Sequence, residues 1–239
     1  MDRALPSAAW CARIAGATLL LAAMLADAAT PSELDTLKQR IAACTWCHGE
    51  RGQGGRNDYN PRLEGQPEAY LYAQLKHYQR GTRAYPRMET MVRFLSDAYL
   101  HEIAQYFAAL PPSGQAAGGV KVGAEVLARG RALALRGDAA RGIAACAACH
   151  GRELSGVLPA APGIAGQPYA YLSAQLGAWQ SNTRRAAAPD CMAEIAQRLG
   201  GRDMQAVSAW LSTQPARAPQ SPDAATREAL SHCGAEVTP

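Results

Sequence analysis

The chain lacks strand-like alternation, a strong charge of one sign, and any long apolar run beyond its N-terminus. Without segments that alternate apolar and polar residues, a sheet-built core is excluded, and with it the βαβ setting of a thioredoxin-type cysteine pair. The formal net charge is only +4 over 239 residues, which gives no support to nucleic-acid binding. The basic excess lies mainly in the second half and reads as a solvated surface or a weak bias toward an acidic partner. The one apolar run, from about Ile14 to Leu25, follows Arg3 and Arg13 and precedes Ala26-Asp27-Ala28. Its core is too short for a membrane span, so residues 1–28 read as a cleaved export signal, with an uncleaved anchor as the alternative. Cys11 precedes that core, which argues against a lipoprotein anchor.

What the chain does have is one short pattern twice. Cys44-Thr45-Trp46-Cys47-His48 and Cys146-Ala147-Ala148-Cys149-His150 both read Cys-x-x-Cys-His. Two cysteines at this spacing add to the two vinyl groups of one porphyrin, and the adjoining histidine becomes an axial ligand of the iron. The pattern implies two covalently attached haem c groups, one on Cys44, Cys47 and His48, the other on Cys146, Cys149 and His150. A zinc site pooling both cysteine pairs would leave an idle histidine twice at the same offset. Haem propionates would offset most of the positive excess. Attachment of this kind takes place outside the bacterial cytoplasm, in agreement with export to the periplasm. In that oxidising compartment Cys191 and Cys233 remain. They form a disulfide tying the C-terminal tail to the second half, or Cys191 stays free beside Met192.

The motif recurs because the whole sequence does. Ile41-Ala42-Ala43-Cys44 matches Ile143-Ala144-Ala145-Cys146, and Gly65-Gln66-Pro67 matches Gly166-Gln167-Pro168. Tyr70-Leu71 and Ala73-Gln74-Leu75 match Tyr171-Leu172 and Ala174-Gln175-Leu176. Pro111-Pro112-Ser113-Gly114 and the Gly/Ala-rich run after it separate the copies. The expected organisation is a signal at 1–28, a first domain at 29–110, a linker at 111–123, a second domain at 124–214 and a tail at 215–239. Each copy reads as helical. Leu71, Leu75 and Tyr78 form a stripe that Leu172, Leu176 and Trp179 repeat, and Ser96 caps a last helix whose Leu100, Ile103, Ala104 and Phe107 share a face. The stretches after each histidine, 49–60 and 151–161, read as loops. Units of about 100 residues have small cores that haem helps to complete, so the apo chain is expected to fold poorly.

The face of each iron opposite the histidine decides the chemistry: a sulfur or nitrogen there closes the site for electron transfer, and an open position allows catalysis. In the second copy Met204 lies on the apolar stripe of the last helix and reads as core. That leaves Met192, in a segment where a loop can fold over the haem. In the first copy Met88 and Met91 compete. Met88 precedes Ser96 by the interval that separates Met192 from Gly200, so the repeat selects Met88. A Cys191 thiolate replacing Met192 would lower the potential and permit a catalytic haem. His77, His101 and His232 have no counterpart in the other copy and read as surface or partly buried helix residues.

Over residues 34–213 the pattern resembles the cytochrome c4 family, periplasmic dihaem class I cytochromes of two similar domains. The cues are Cys-x-x-Cys-His, then Pro61-Arg62-Leu63-Glu64-Gly65-Gln66, Tyr70-Leu71, Gly81-Thr82-Arg83, a methionine and Leu95-Ser96-Asp97; then Pro162-Gly163-Ile164-Ala165-Gly166-Gln167, Tyr171-Leu172, Asn182-Thr183-Arg184, Met192 and Leu199-Gly200. The resemblance implies an all-α fold of two tandem class I cytochrome c domains, each wrapped around one haem. It implies that the carbonyls of Pro61 and Pro162 accept the Nδ1 protons of His48 and His150, and that the haems lie near the domain interface with propionates facing each other. Arg83 and Arg184 are then candidates to neutralise those propionates, or else ordinary surface arginines. Gly200-Gly201-Arg202-Asp203 departs from the family's Ser-Asp helix start and leaves a weaker cap; Cys191 and Cys233 lie outside the family pattern.

His/Met ligation favours Fe(II), because the soft thioether stabilises it, and leaves no position for substrate. The expected function is therefore electron transfer, not catalysis. The resemblance implies a periplasmic shuttle between an upstream membrane complex and a terminal oxidase, with at most peripheral membrane association. The alternative is a dedicated cytochrome subunit of a periplasmic dehydrogenase, docked through the tail after Gln214 and the extra cysteines. A dihaem peroxidase or sulfur-compound oxidase is the third reading, against which the matched methionine register argues.

Overall fold

The computed structural model describes residues 36–55, 57 and 59–234, so the expected signal at 1–28 and the last tail residues at 235–239 lie outside the described residues. The chain divides into two units, the first ending at Arg40 and the second beginning at Ile41. Within the first, one helical turn is described, α1 (Leu37–Arg40). The second unit holds both copies of the repeat. The first copy contributes α2 (Ala42–His48), α3 (Glu68–Arg80), α4 (Pro86–Val92) and α5 (Asp97–Ala109). The second contributes α6 (Ala124–Arg136), α7 (Cys146–His150), α8 (Tyr169–Gln180), α9 (Cys191–Arg198), α10 (Gly201–Ser212) and, in the tail, α11 (Ala224–Ser231). Among the described residues there is no strand, only isolated bridges.

The core of the first repeat lies between α3 and α5. Ser96 accepts the Tyr99 N–H at 3.3 Å and so starts α5. Its apolar stripe of Leu100, Ile103, Ala104 and Phe107 is buried together with Leu71 and Val92. Each large side chain buried this way contributes about 1.5–3 kcal/mol. In the second repeat α6 lies against α10, and Leu133, Val207 and Leu211 join Ile143, Leu154, Leu172 and Leu199 in one cluster. Met204 packs on that cluster, as a core residue would. The two helices approach closely because residue 130 is glycine: a Cβ there would lie 2.0 Å from the Ala206 carbonyl oxygen.

Gly200 gives α10 no side-chain cap. Its first turn is held by charge instead. Asp203 receives Arg129 Nε at 2.9 Å and Arg141 Nη1 at 2.6 Å, and Asp138 receives Arg141 Nε at 2.8 Å. This ties the last core helix of the repeat to its first.

One reading changes here. Met192 does not sit in a loop: Asp190 accepts the Ala193 N–H at 3.0 Å and caps α9, which carries the methionine in its first turn. The expected disulfide is formed between Cys191 and Cys233, the two Cα atoms 5.5 Å apart.

Candidate functional site

His48 closes α2 and His150 closes α7. Gly49 and Gly151 follow them at φ +87° and +82°, a backbone region open to glycine, so the chain turns away and leaves each ring at a helix end. Both rings are buried. His48 Nδ1 donates to the Pro61 carbonyl at 2.9 Å, and His150 Nδ1 donates to the Pro162 carbonyl at 2.8 Å. A carbonyl can only accept, so the proton of each neutral imidazole is on Nδ1 and the Nε2 lone pair is left for a metal. Burial lowers the pKa of both rings, which keeps them in that neutral state.

Burial works against thiolate chemistry at three of the neighbouring cysteines. As free thiols, Cys44 and Cys149 are pushed up by burial and Cys146 is pushed up to about 11, the reverse of the lowered values that activate Cys-x-x-Cys oxidoreductases. Among the described residues no three His, Cys, Asp or Glu side chains gather as metal ligands.

Met88 lies half-buried on α4, whereas Met91 on the same helix is 43% exposed. Met192 lies half-buried on α9. Both helices are gripped in the same way. Gln79 Nε2 donates to the carbonyls of Val92 and Leu95 at 2.8 and 2.9 Å, and Gln180 Nε2 donates to those of Ala196 and Leu199, both at 2.8 Å. These glutamines escaped the sequence reading, although they occupy equivalent positions in the two copies. His77 is buried and bonded to Thr82, His101 stacks on Tyr72 with ring centroids 3.7 Å apart, and His232 is exposed beside Glu228.

The two repeats meet through reciprocal bonds. Gln66 Nε2 donates to the Gly163 carbonyl and Gln66 Oε1 accepts the Gly163 N–H; Gln167 does the same with Arg62. Each glutamine thus grips the residue after the proline that orients the other repeat's histidine. Nearby, Arg83 and Arg184 pair in an antiparallel bridge. Neither is a surface arginine: they are 5% and 6% exposed. Arg83 Nη2 donates to Tyr171 Oη at 2.9 Å and Gln175 Oε1 at 2.7 Å, while Arg184 Nη2 donates to Gln74 Oε1 at 2.9 Å. Arg184 also lies over the Trp179 ring, 3.9 Å from its centroid, and Arg83 over Tyr78 at 4.7 Å.

Among the described residues no carboxylate bonds either guanidinium, and buried Arg83 Nε and Trp179 Nε1 have no acceptor. Two buried cations, one of them with an unused donor, are costly unless an anion answers them. The propionates of a haem have the charge and the acceptor atoms required, and the histidines have a free nitrogen each. The residues present fit the group.

No protein-family profile matches the chain. It is 38% identical over 187 residues to a thiosulfate dehydrogenase electron acceptor of Thiomonas intermedia, covering 78% of this chain and 85% of the relative. It is 32% identical over 174 residues to cytochrome c4 of Pseudomonas aeruginosa, covering 72% and 84%. The crystal structure of reduced recombinant cytochrome c4 from Pseudomonas stutzeri superposes with a TM-score of 0.67 at 28% identity, over 74% of this chain and 96% of that one. With two Cys-x-x-Cys-His motifs, two buried histidines in matched settings and a helical body of the same design, the chain belongs to the cytochrome c4 family, electron-transfer proteins that carry two covalently bound haem c groups.

Proposed function

We propose that Cys44 and Cys47 hold the first haem and Cys146 and Cys149 the second, with His48 and Met88 ligating one iron and His150 and Met192 the other. Domains at 29–110 and 124–214, joined by the 111–123 linker, carry one group each. When bound, each group supplies a one-electron Fe(III)/Fe(II) couple. The chain's own residues do the rest. Pro61 and Pro162 fix the imidazoles, Gln79 and Gln180 fix the methionine helices, and Arg83 and Arg184 supply buried positive charge, which favours the reduced state. With both ligand positions filled by the protein, the chain relays electrons and catalyses no reaction of its own. The observation that carries this reading is the matched pair of histidine–proline hydrogen bonds, 2.9 and 2.8 Å, one in each repeat.

The working place is the periplasm, reached through the signal at 1–28, with at most peripheral contact with the membrane; among the described residues no helix is long and apolar enough to cross one. The likeness to a thiosulfate dehydrogenase electron acceptor supports a periplasmic thiosulfate dehydrogenase as the electron donor. A terminal oxidase is the downstream acceptor.

The optical spectrum of the oxidised holoprotein tests the ligation. Both centres should contribute to the long-wavelength methionine–iron band, and Met88→Ala or Met192→Ala should each remove about half of it. A full band after Met88→Ala moves the assignment to Met91, and rapid cyanide binding by the unaltered protein refutes six-coordination. Reduction by thiosulfate only when thiosulfate dehydrogenase is present tests the donor; reduction by thiosulfate alone would contradict the non-enzymatic reading.

A further inference from the structure

The second repeat ends in a segment that the first does not have. Beyond α10 the chain returns along the loop after His150. Leu158 N–H donates to the Gln220 carbonyl at 2.9 Å, and Gln220 N–H donates to the Gly156 carbonyl at 3.0 Å. Ala216 is buried on the way. Asp223 then caps α11 through the Thr226 N–H at 2.8 Å. Leu230, on α11, is buried against Val157 and Ala161, and Cys149 packs on that same cluster. Cys233 finally joins Cys191, next to Met192, and Gly234 N–H donates to the Pro189 carbonyl at 2.9 Å. One short stretch of chain therefore covers an attachment cysteine and fastens the helix of the proposed sixth ligand.

The first repeat is open at the matching place. Cys47 is exposed, and Trp46 between the two cysteines is 90% exposed, where the second repeat has half-buried Ala148. Phe94, just past α4, is 88% exposed. A thioether puts a porphyrin edge two bonds from its sulfur, so what covers the cysteine covers that edge. A helix with its side chains is about 10 Å thick, and electron tunnelling falls roughly exponentially with distance.

We infer that residues 215–234 are a shield over the thioether edge of the second haem, and that electron exchange with other redox proteins takes place at the first haem, beside Cys47 and Trp46. This rests on the two-haem reading above. A reduced redox protein gives up one electron at the first centre, whose iron goes from Fe(III) to Fe(II). That electron moves on to the second centre or leaves to an oxidised redox protein at the same edge. No bond is made or broken and no proton moves. Ala216 and Leu230 of the tail are buried against the chain itself, and Cys233 is engaged with Cys191.

Proton NMR of the oxidised holoprotein with a soluble gadolinium chelate tests the shield. The paramagnetically shifted haem-methyl signals, assigned to each centre with Met88→Ala and Met192→Ala, should broaden several-fold more for the first haem than for the second. In Cys191→Ser/Cys233→Ser, with the tail unfastened, the second set should broaden toward the first. Equal broadening of both sets in the unaltered protein, an outcome that needs no variant to read, or greater broadening of the second set overturns this inference alone. A spectrum with only one set of haem signals overturns the two-haem reading and the shield with it.

Discussion

Arg83 and Arg184 pair in an antiparallel bridge between the two repeats, and each guanidinium bonds one glutamine of its own repeat and one of the other, Gln74 and Gln175 being shared by both. The pair locks the repeats together and concentrates positive charge where no described carboxylate answers it.

Replacing one of them should therefore show in two readouts. Arg83→Met removes the donor to Tyr171 Oη and leaves the oxygens of Gln74 and Gln175 with Arg184 alone, at a cost of about 1–3 kcal/mol of stability by denaturant titration. Removing a buried cation near a haem should also lower a midpoint potential in a redox titration. Loss of stability with both potentials unchanged would reduce Arg83 to a structural clamp.

The glutamine grip on the methionine helices makes a second prediction. Gln180→Leu leaves the carbonyls of Ala196 and Leu199 without their donor. About 1–3 kcal/mol should be lost, and the methionine–iron band of the second centre should disappear at a lower temperature than that of the first. A band that melts as in the unaltered protein would show that α9 is held by other contacts.

Acid stability should depend on the charge cluster at the start of α10. Hydrogen bonds from Arg129 to Asp203 and from Arg141 to Asp138 hold both carboxyls below the usual carboxylate range. Folded values below unfolded ones contribute stability that is present above about pH 4 and lost as pH falls through the folded values. The melting-temperature gap between the unaltered protein and Asp203→Asn should thus be open at pH 7 and narrow below about pH 4. A gap independent of pH rejects the linkage.

At the helix crossing, Gly130→Ala places a methyl 2.0 Å from the Ala206 carbonyl oxygen. Overpacking of this kind costs about 1–3 kcal/mol or more, and thermal unfolding of the variant should show it.

The haem-attachment motifs, the Ser96 cap and the apolar stripe of α5 were legible because each depends on local spacing. Arg83 and Arg184 were legible as candidates but not as buried groups, since their burial arises only when two halves a hundred residues apart close on each other. Met192 was singled out by elimination against Met204, yet its helix was missed: the cap comes from Asp190, two residues before the methionine, and the apolar stretch is too short to show a period. Gln79 and Gln180 bond backbone carbonyls, which no side-chain pattern reveals.

The reciprocal grip of Gln66 and Gln167 has the form of an isologous contact, in which the same patch on two bodies recognises itself. One position breaks the symmetry. Arg62 is buried with its Nη2 3.3 Å from where a Cβ at Gly163 would start, and Gly163 is its counterpart. Two first halves brought together in this way would force two guanidiniums into room for one; two second halves would leave that room empty. The halves are thus complements at this face: volume opposes the pairing of two first halves, and the cavity left behind disfavours the pairing of two second halves.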